Sequence, residues 1–153
     1  MDELLAVARL QLDYAQCIDA DELERWPDFF VEDGLYRVTN ALSEARGLPI
    51  GIIHAAGRAM MRDRVTSLRE ANVYEGQRYR HILSLPNLSP ADDGIAAVTG
   101  FMVTRIMHDG ATDLFATGEY RDRIVRRGNT LKFLERVVVL DSEKIDTLLA
   151  IPL

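Results

Sequence analysis

Asp19 and His81 are the pair of side chains in this chain best suited to acid–base chemistry. His81 lies in Tyr79-Arg80-His81, a segment that reads as a strand. An inward-facing histidine can act as a general base when a carboxylate orients it, and Asp19, from the early helices, is the candidate carboxylate. The plainer reading makes His81 a satisfied core histidine and Asp19 a helix cap. The three histidines, His54, His81 and His108, fall in separate segments with no H-x-x-x-[DE] pair. Their spacing therefore gives no support to a 2-His-1-carboxylate iron site. One cysteine, Cys17, is too few for a zinc ribbon, an iron–sulfur cluster or an internal disulfide within this chain. Its apolar neighbours Ala15 and Ile18 predict a small buried hydrophobe, not a reactive thiol. Neither G-x-G-x-x-G nor G-x-x-x-x-G-K-[ST] occurs, so the common phosphate-cradling loops are missing.

A second group of residues suits recognition. The 18 basic side chains are arginines except for Lys132 and Lys144. Arginine pairs carboxylates in a fork and is favoured at interfaces. Arg62, Arg64 and Arg69 crowd one predicted helix, and Arg78 and Arg80 follow on a strand. That placement predicts a partner interface; a solvated helix face is the alternative. The end of the chain, Asp146 to Leu153, is apolar to its last residue. Such a tail must be covered by its own domain or by another chain, and the second option adds Ile151 and Leu153 to the predicted interface.

The elements that must position these residues follow from periodicity. Asp2 to about Ile18 reads as a helix with Leu5, Ala8, Leu12, Ala15 and Ile18 on one side. Asp19, with Glu22 three residues on, predicts the capped start of a second short helix carrying Leu23 and Trp26. Gly34 to Leu42 suits a strand, 47–53 a loop and a short apolar run, and Gly57 to Glu70 a helix burying Met61, Val65 and Leu68. Phe29, Phe30, Met60 and Met61 read as core filling. Arg78–Leu85, Ile95–His108, Thr112–Val125 and Thr130–Leu140 read as four antiparallel strands. Asp109-Gly110 and Gly128-Asn129 supply tight hairpin turns. Pro86, Pro90 and Asp92-Asp93-Gly94 mark a loop. Helices segregated before a meander predict an α+β fold, a long curled sheet closed into a cone by the N-terminal helices. No linker or repeat interrupts 1–153, which predicts one domain.

Composition bounds the function. The chain has 153 residues, 48% hydrophobic and 27% charged, and a net charge of −6. This is globular composition. The acidic balance argues against a general nucleic-acid binder. No run of about 18 apolar residues predicts a membrane span. The opening Asp2-Glu3 lacks the basic-then-apolar order of a secretory signal, and the lone cysteine suits a reducing cytoplasm.

Several long segments carry a family likeness. They are Trp26-Pro27-x-Phe29-Phe30, Tyr36-Arg37-Val38-Thr39-Asn40, Asp63-Arg64, Leu68-Arg69-Glu70-Ala71-Asn72 and Arg78-Tyr79-Arg80-His81-Ile82-Leu83. Further on come Phe101-Met102-Val103, Arg105-Ile106-Met107-His108, Gly118-Glu119-Tyr120, Asp141-Ser142, Asp146-Thr147-Leu148 and Pro152-Leu153. Over nearly its whole length the chain resembles the small (beta) subunits of aromatic-ring-hydroxylating dioxygenases. The resemblance implies a nuclear-transport-factor-2-like (cystatin-like) cone. It implies a supporting role in an α3β3 hexamer that cis-dihydroxylates an aromatic carboxylate such as terephthalate. The Rieske 2Fe-2S cluster and the mononuclear Fe(II) belong to the large (alpha) subunit, and NAD(P)H supplies electrons through a reductase. No cofactor, metal or catalytic residue is implied in this chain. The same fold also hosts scytalone dehydratase-like and ketosteroid isomerase-like enzymes, so fold alone does not settle function. The alternative is a stand-alone dehydratase or isomerase with Asp19 and His81 as its acid–base pair. An open, partly polar pocket holding both side chains favours that alternative. An interior packed shut by Phe29, Phe30, Met102 and Leu134 argues against it.

Overall fold

The computed structural model describes residues 2–47, 53–71, 76–142 and 151–153. Helix α1 spans Glu3–Asp19, started by Asp2, whose carboxylate accepts from the Leu4 amide at 3.0 Å. Its buried stripe is Val7, Leu10, Gln11, Tyr14, Ala15, Cys17 and Ile18, of which Ala15 and Ile18 are as expected. The expected Leu5 and Leu12 face outward instead, 58% and 49% exposed. Both stripes satisfy a 3.6-residue period. The choice falls to Gln11 and Tyr14, whose polar atoms find partners only inside.

A 3-10 helix, Leu23–Phe29, follows a turn at Asp21 (φ 59°). Its N-cap is Glu22, and no side chain caps it. The expected Asp19–Glu22 capping box is therefore not formed; Asp19 ends α1 and its carboxylate goes elsewhere. Strand β1 is Phe30–Asn40 and α2 is Ala41–Ala45, capped by Asn40, whose side chain accepts from the Ser43 amide at 2.8 Å. That cap ends the strand two residues before Leu42. Strand β2 is Ile53–Ala56, and α3, Arg58–Ala71, buries Met61, Val65 and Leu68 as its period predicts. Met60, beside them, is 46% exposed and fills no core.

Strands β3 (Gln77–Leu83), β4 (Asn87–Ala91), β5 (Gly94–Met107), β6 (Thr112–Arg127) and β7 (Thr130–Leu140) complete the chain's sheet. β4 was not expected. It continues the line of β3 along the same edge of β5, after a break that contains Pro86. Both hairpin turns fall where expected, at Gly110 and Gly128, each with positive φ.

The sheet order is β2-β1-β7-β6-β5-β3, with β4 also on β5. Among the described residues every pairing is antiparallel except β1 with β7, which is parallel. The early strand β1 thus lies between β2 and the last strand of the meander, β7. The result is an α+β fold with a curled, unclosed sheet whose concave side faces α1, the 3-10 helix and α3. Tyr14, Trp26, Phe30, Tyr36, Tyr120 and Phe133 fill that concavity, all fully buried. No helix among the described residues is long and apolar enough to cross a membrane.

Candidate functional site

The last residue of α1 and the middle of β3 meet as the sequence predicts. Asp19 Oδ1 lies 2.6 Å from His81 Nδ1, and Asp19 Oδ2 accepts from the His81 amide at 2.9 Å. The contact is closed to solvent: the His81 side chain is 0% exposed and that of Asp19 10%. Alternation along β3 explains the placement. Tyr79 and His81 point inward, while Arg78, Arg80 and Ile82 point outward. A carboxylate on Nδ1 holds the proton there and leaves Nε2 as the ring's other nitrogen. His81 Nε2 is buried and has no hydrogen-bond partner among the described residues. The pair can therefore orient an imidazole, and it also pins the end of α1 to β3.

The polar centre of the cone lies elsewhere, and the sequence reading missed it. Arg136 on β7 is fully buried and forks onto Asp122, its register partner on β6, through Nε and Nη2, each 2.8 Å from a carboxylate oxygen. Gln11 donates to Asp122 at 2.8 Å and to Thr99 Oγ1 at 3.3 Å, and accepts from Arg136 Nη2. The guanidinium carbon sits 3.8 Å from the Tyr120 ring centre, 4.1 Å from Phe133 and 4.3 Å from Tyr14. Burial opposes the charge on Arg136. Asp122 outweighs it and holds the guanidinium pKa above its ordinary value. One signal for this network was available: Tyr120, Asp122 and Ile124 share the inward alternation of β6, which puts a carboxylate in a core position.

The end of the described chain fills the remaining space. Leu153 is 1% exposed and Ile151 4%. The Leu153 carbonyl accepts from Tyr14 Oη at 2.9 Å and Tyr36 Oη at 3.2 Å, and its amide donates to Tyr36 Oη at 3.0 Å. Trp26 Nε1 donates to Tyr14 Oη at 3.0 Å. Burial pushes the Tyr14 hydroxyl up to about 12, and raises Tyr36 and Tyr120 well above the usual phenol value. The interior is thus packed, although not by all the residues expected. Phe30 is buried and Phe29 packs against the core, but Met102 is 40% exposed on the outer face and Leu134 is half-buried. Met102 points outward because its neighbours Phe101 and Val103 take the inward positions of β5.

The predicted recognition residues separate into three groups. Ile151 and Leu153 are covered by their own domain, so the tail adds no exposed apolar surface at these two positions. Arg69 joins α3 to the 3-10 helix and the turn before it, pairing Asp21 in the turn at 3.0 Å and Glu24 in the helix at 2.9 Å. Arg64 is half-buried. Arg62, Arg78 and Arg80 are exposed. Cys17 donates to the Glu22 carbonyl at 3.1 Å, and burial pushes its thiol up to about 11, the setting of an inert sulfur. His54 and His108 are exposed on other elements. A Rieske centre takes two cysteines and two histidines. With one cysteine, and no grouping of three or more His, Cys, Asp or Glu side chains suited to a metal among the described residues, this chain does not fit such a group.

Comparison with known proteins agrees with this picture. The SnoaL-like domain family matches residues 1–137. The beta 1 subunit of the terminal oxygenase component of terephthalate 1,2-dioxygenase from a Comamonas species is 47% identical, covering 97% of both chains. The small subunit of anthranilate 1,2-dioxygenase from Burkholderia cepacia is 37% identical, covering 94% of this chain and 90% of that one. A crystal structure assigned to the beta subunit of an aromatic-ring-hydroxylating dioxygenase from Novosphingobium aromaticivorans superposes with a TM-score of 0.88 at 32% identity, covering 97% and 95% of the two chains. Identity at this level over the full cone, together with an interior filled by its own side chains, places the chain in the SnoaL-like family, among the beta subunits of aromatic-ring dioxygenases.

Proposed function

We propose that this chain is a supporting, non-catalytic subunit of a cytoplasmic terminal oxygenase acting on an aromatic carboxylate. The observation that carries the reading is the packed cone. Its centre is taken up by Arg136, aromatic rings and Leu153, and the His81 side chain is sealed. The relatives named for terephthalate and anthranilate both act on benzene carboxylates, which supports that substrate class, with terephthalate first. The complex would be an α3β3 hexamer. It would add both atoms of dioxygen to the ring, giving a cis-dihydrodiol, with two electrons from NAD(P)H through a reductase and two protons. The Rieske 2Fe-2S cluster and mononuclear Fe(II) would reside in the large subunit. The residues of 1–153 would act as one domain, with Arg62, Arg78 and Arg80 as the exposed cations facing a partner.

A second reading, a stand-alone dehydratase or isomerase, draws on one observation: the oriented His81, whose Nε2 has no partner among the described residues. One experiment separates the two. The tagged chain is recovered from its native cell, and the mass and visible spectrum of the particle are measured. We expect a brown, hexamer-sized complex. In it, His81→Ala and Asp19→Ala should lower activity only in proportion to lost assembly. A colourless particle of this chain alone, or a large loss of turnover with the hexamer intact, would shift the assignment to the second reading.

A further inference from the structure

Eight large apolar side chains are exposed among the described residues, and four of them, Ile82, Val98, Met102 and Leu114, share the outer face of β3, β5 and β6. The register makes them neighbours. Ile82 lies opposite Met102, which lies opposite Thr117. One step along the same face, Arg80 lies opposite Thr104, which lies opposite Leu114. Val98 continues the line of Met102 along β5 past Gly100, and β3 is the last strand of the sheet among the described residues, so the patch runs to that edge. Residues on one face of adjacent strands lie about 5–8 Å apart, so these side chains form one surface. Its mixed character, an apolar middle and a charged rim, is that of a protein contact.

The charges choose the partner. Arg78 and Arg80 stand on this face of β3, exposed, and make no ion pair among the described residues, unlike Arg69, Arg121 and Arg136. Arg121 stands at the other end of the patch, opposite Val98, where it pairs Glu119 on the same face at 2.8 Å. A two-fold contact that brings the β3 ends of this face together would set Arg78 and Arg80 against their own copies, which disfavours a second copy. An apolar surface ringed by carboxylates is the complement.

We infer that the outer face of β3, β5 and β6, centred on Ile82 and Met102 and flanked by Arg78 and Arg80, docks an acid-rimmed apolar surface of the large oxygenase subunit. This rests on the proposed role as a supporting subunit. The test is co-expression with the large subunit, reading the mass and stoichiometry of the purified complex and the mass of the chain expressed alone. Ile82→Glu/Met102→Glu should leave the chain folded by circular dichroism yet lower recovery of the large subunit at least tenfold. Arg78→Glu/Arg80→Glu should lower it less and make it depend more weakly on salt. Leu12→Glu, on the exposed side of α1, should leave the complex whole. If the wild-type chain forms no complex, the proposed role itself fails. If the wild type assembles and both double variants assemble equally well, the face is wrong. The assignment also falls if Leu12→Glu disrupts equally, or if the variants change only the self-association of the isolated chain.

Discussion

Arg136 is the side chain on which the interior depends most. A fully buried guanidinium is tolerable only because Asp122 meets it in a fork and three rings lie against it. Asp122→Ala leaves an unpaired charge in the core and should destabilise the chain by about 3–5 kcal/mol in denaturant unfolding. Arg136→Met with Asp122→Leu removes both charges and should cost less than the two single changes summed, by about 1–3 kcal/mol. Simple additivity in that cycle would mean the pair contributes nothing beyond its separate parts. Asp19 plays a smaller version of the same part. It was legible as the partner of His81, since a carboxylate ending one element and a histidine inside a strand are each visible in sequence. Its role as a cap was wrong, because the carboxylate had a better donor pair across the fold than the turn beside it.

At the scale of elements, β6 and β7 approach each other closely at Gly118. A Cβ built on Gly118 would stand 2.2 Å from the Val139 carbonyl oxygen, with backbone rather than a flexible side chain in the way. Gly118→Ala should therefore force the two strands apart and cost about 2 kcal/mol or more, measured as a shift in the denaturation midpoint. A change below about 0.5 kcal/mol would show that the strands yield easily. The strands themselves were readable, because alternation and turn residues are local signals, and β7 falls on the residues expected. β4 was not readable: Asn87–Ala91 is short, holds Pro90 and carries no alternation strong enough to separate it from a loop. The orientation of α1 was misjudged for a related reason. A count of apolar residues favours the side with Leu5 and Leu12, while the fold buries Gln11 and Tyr14.

For the whole molecule, burying three tyrosine hydroxyls ties stability to pH. Tyr14 titrates near 12 when folded against about 10 when exposed, and Tyr36 and Tyr120 are raised as well. Between those values the unfolded chain has lost protons that the folded chain keeps, so stability falls as pH rises. It should be fully present below pH about 10 and then decline by about 1.4 kcal/mol per pH unit for each such tyrosine. Thermal unfolding followed from pH 8 to 11.5 should show the drop, with tyrosinate absorbance at these positions appearing only on unfolding. Tyrosinate formed in a still-folded chain would show that the hydroxyls are open to water. The packed cone thus both underlies the proposed supporting role and is a source of alkaline sensitivity.

The amino-acid sequence by itself determined the class of fold, the meander with its two hairpin turns, the core face of α3 and the meeting of Asp19 with His81. Each of these depends on period, turn chemistry or long stretches of family likeness, which are properties of the chain. The parallel pairing of β1 with β7 was decided by tertiary structure alone. So were the Arg136–Asp122–Gln11 network and the burial of Leu153 beneath Tyr14 and Tyr36. These join residues 14–139 positions apart, and their energy exists only once water is excluded from between them. No local pattern can report a partner that becomes available only when the cone closes.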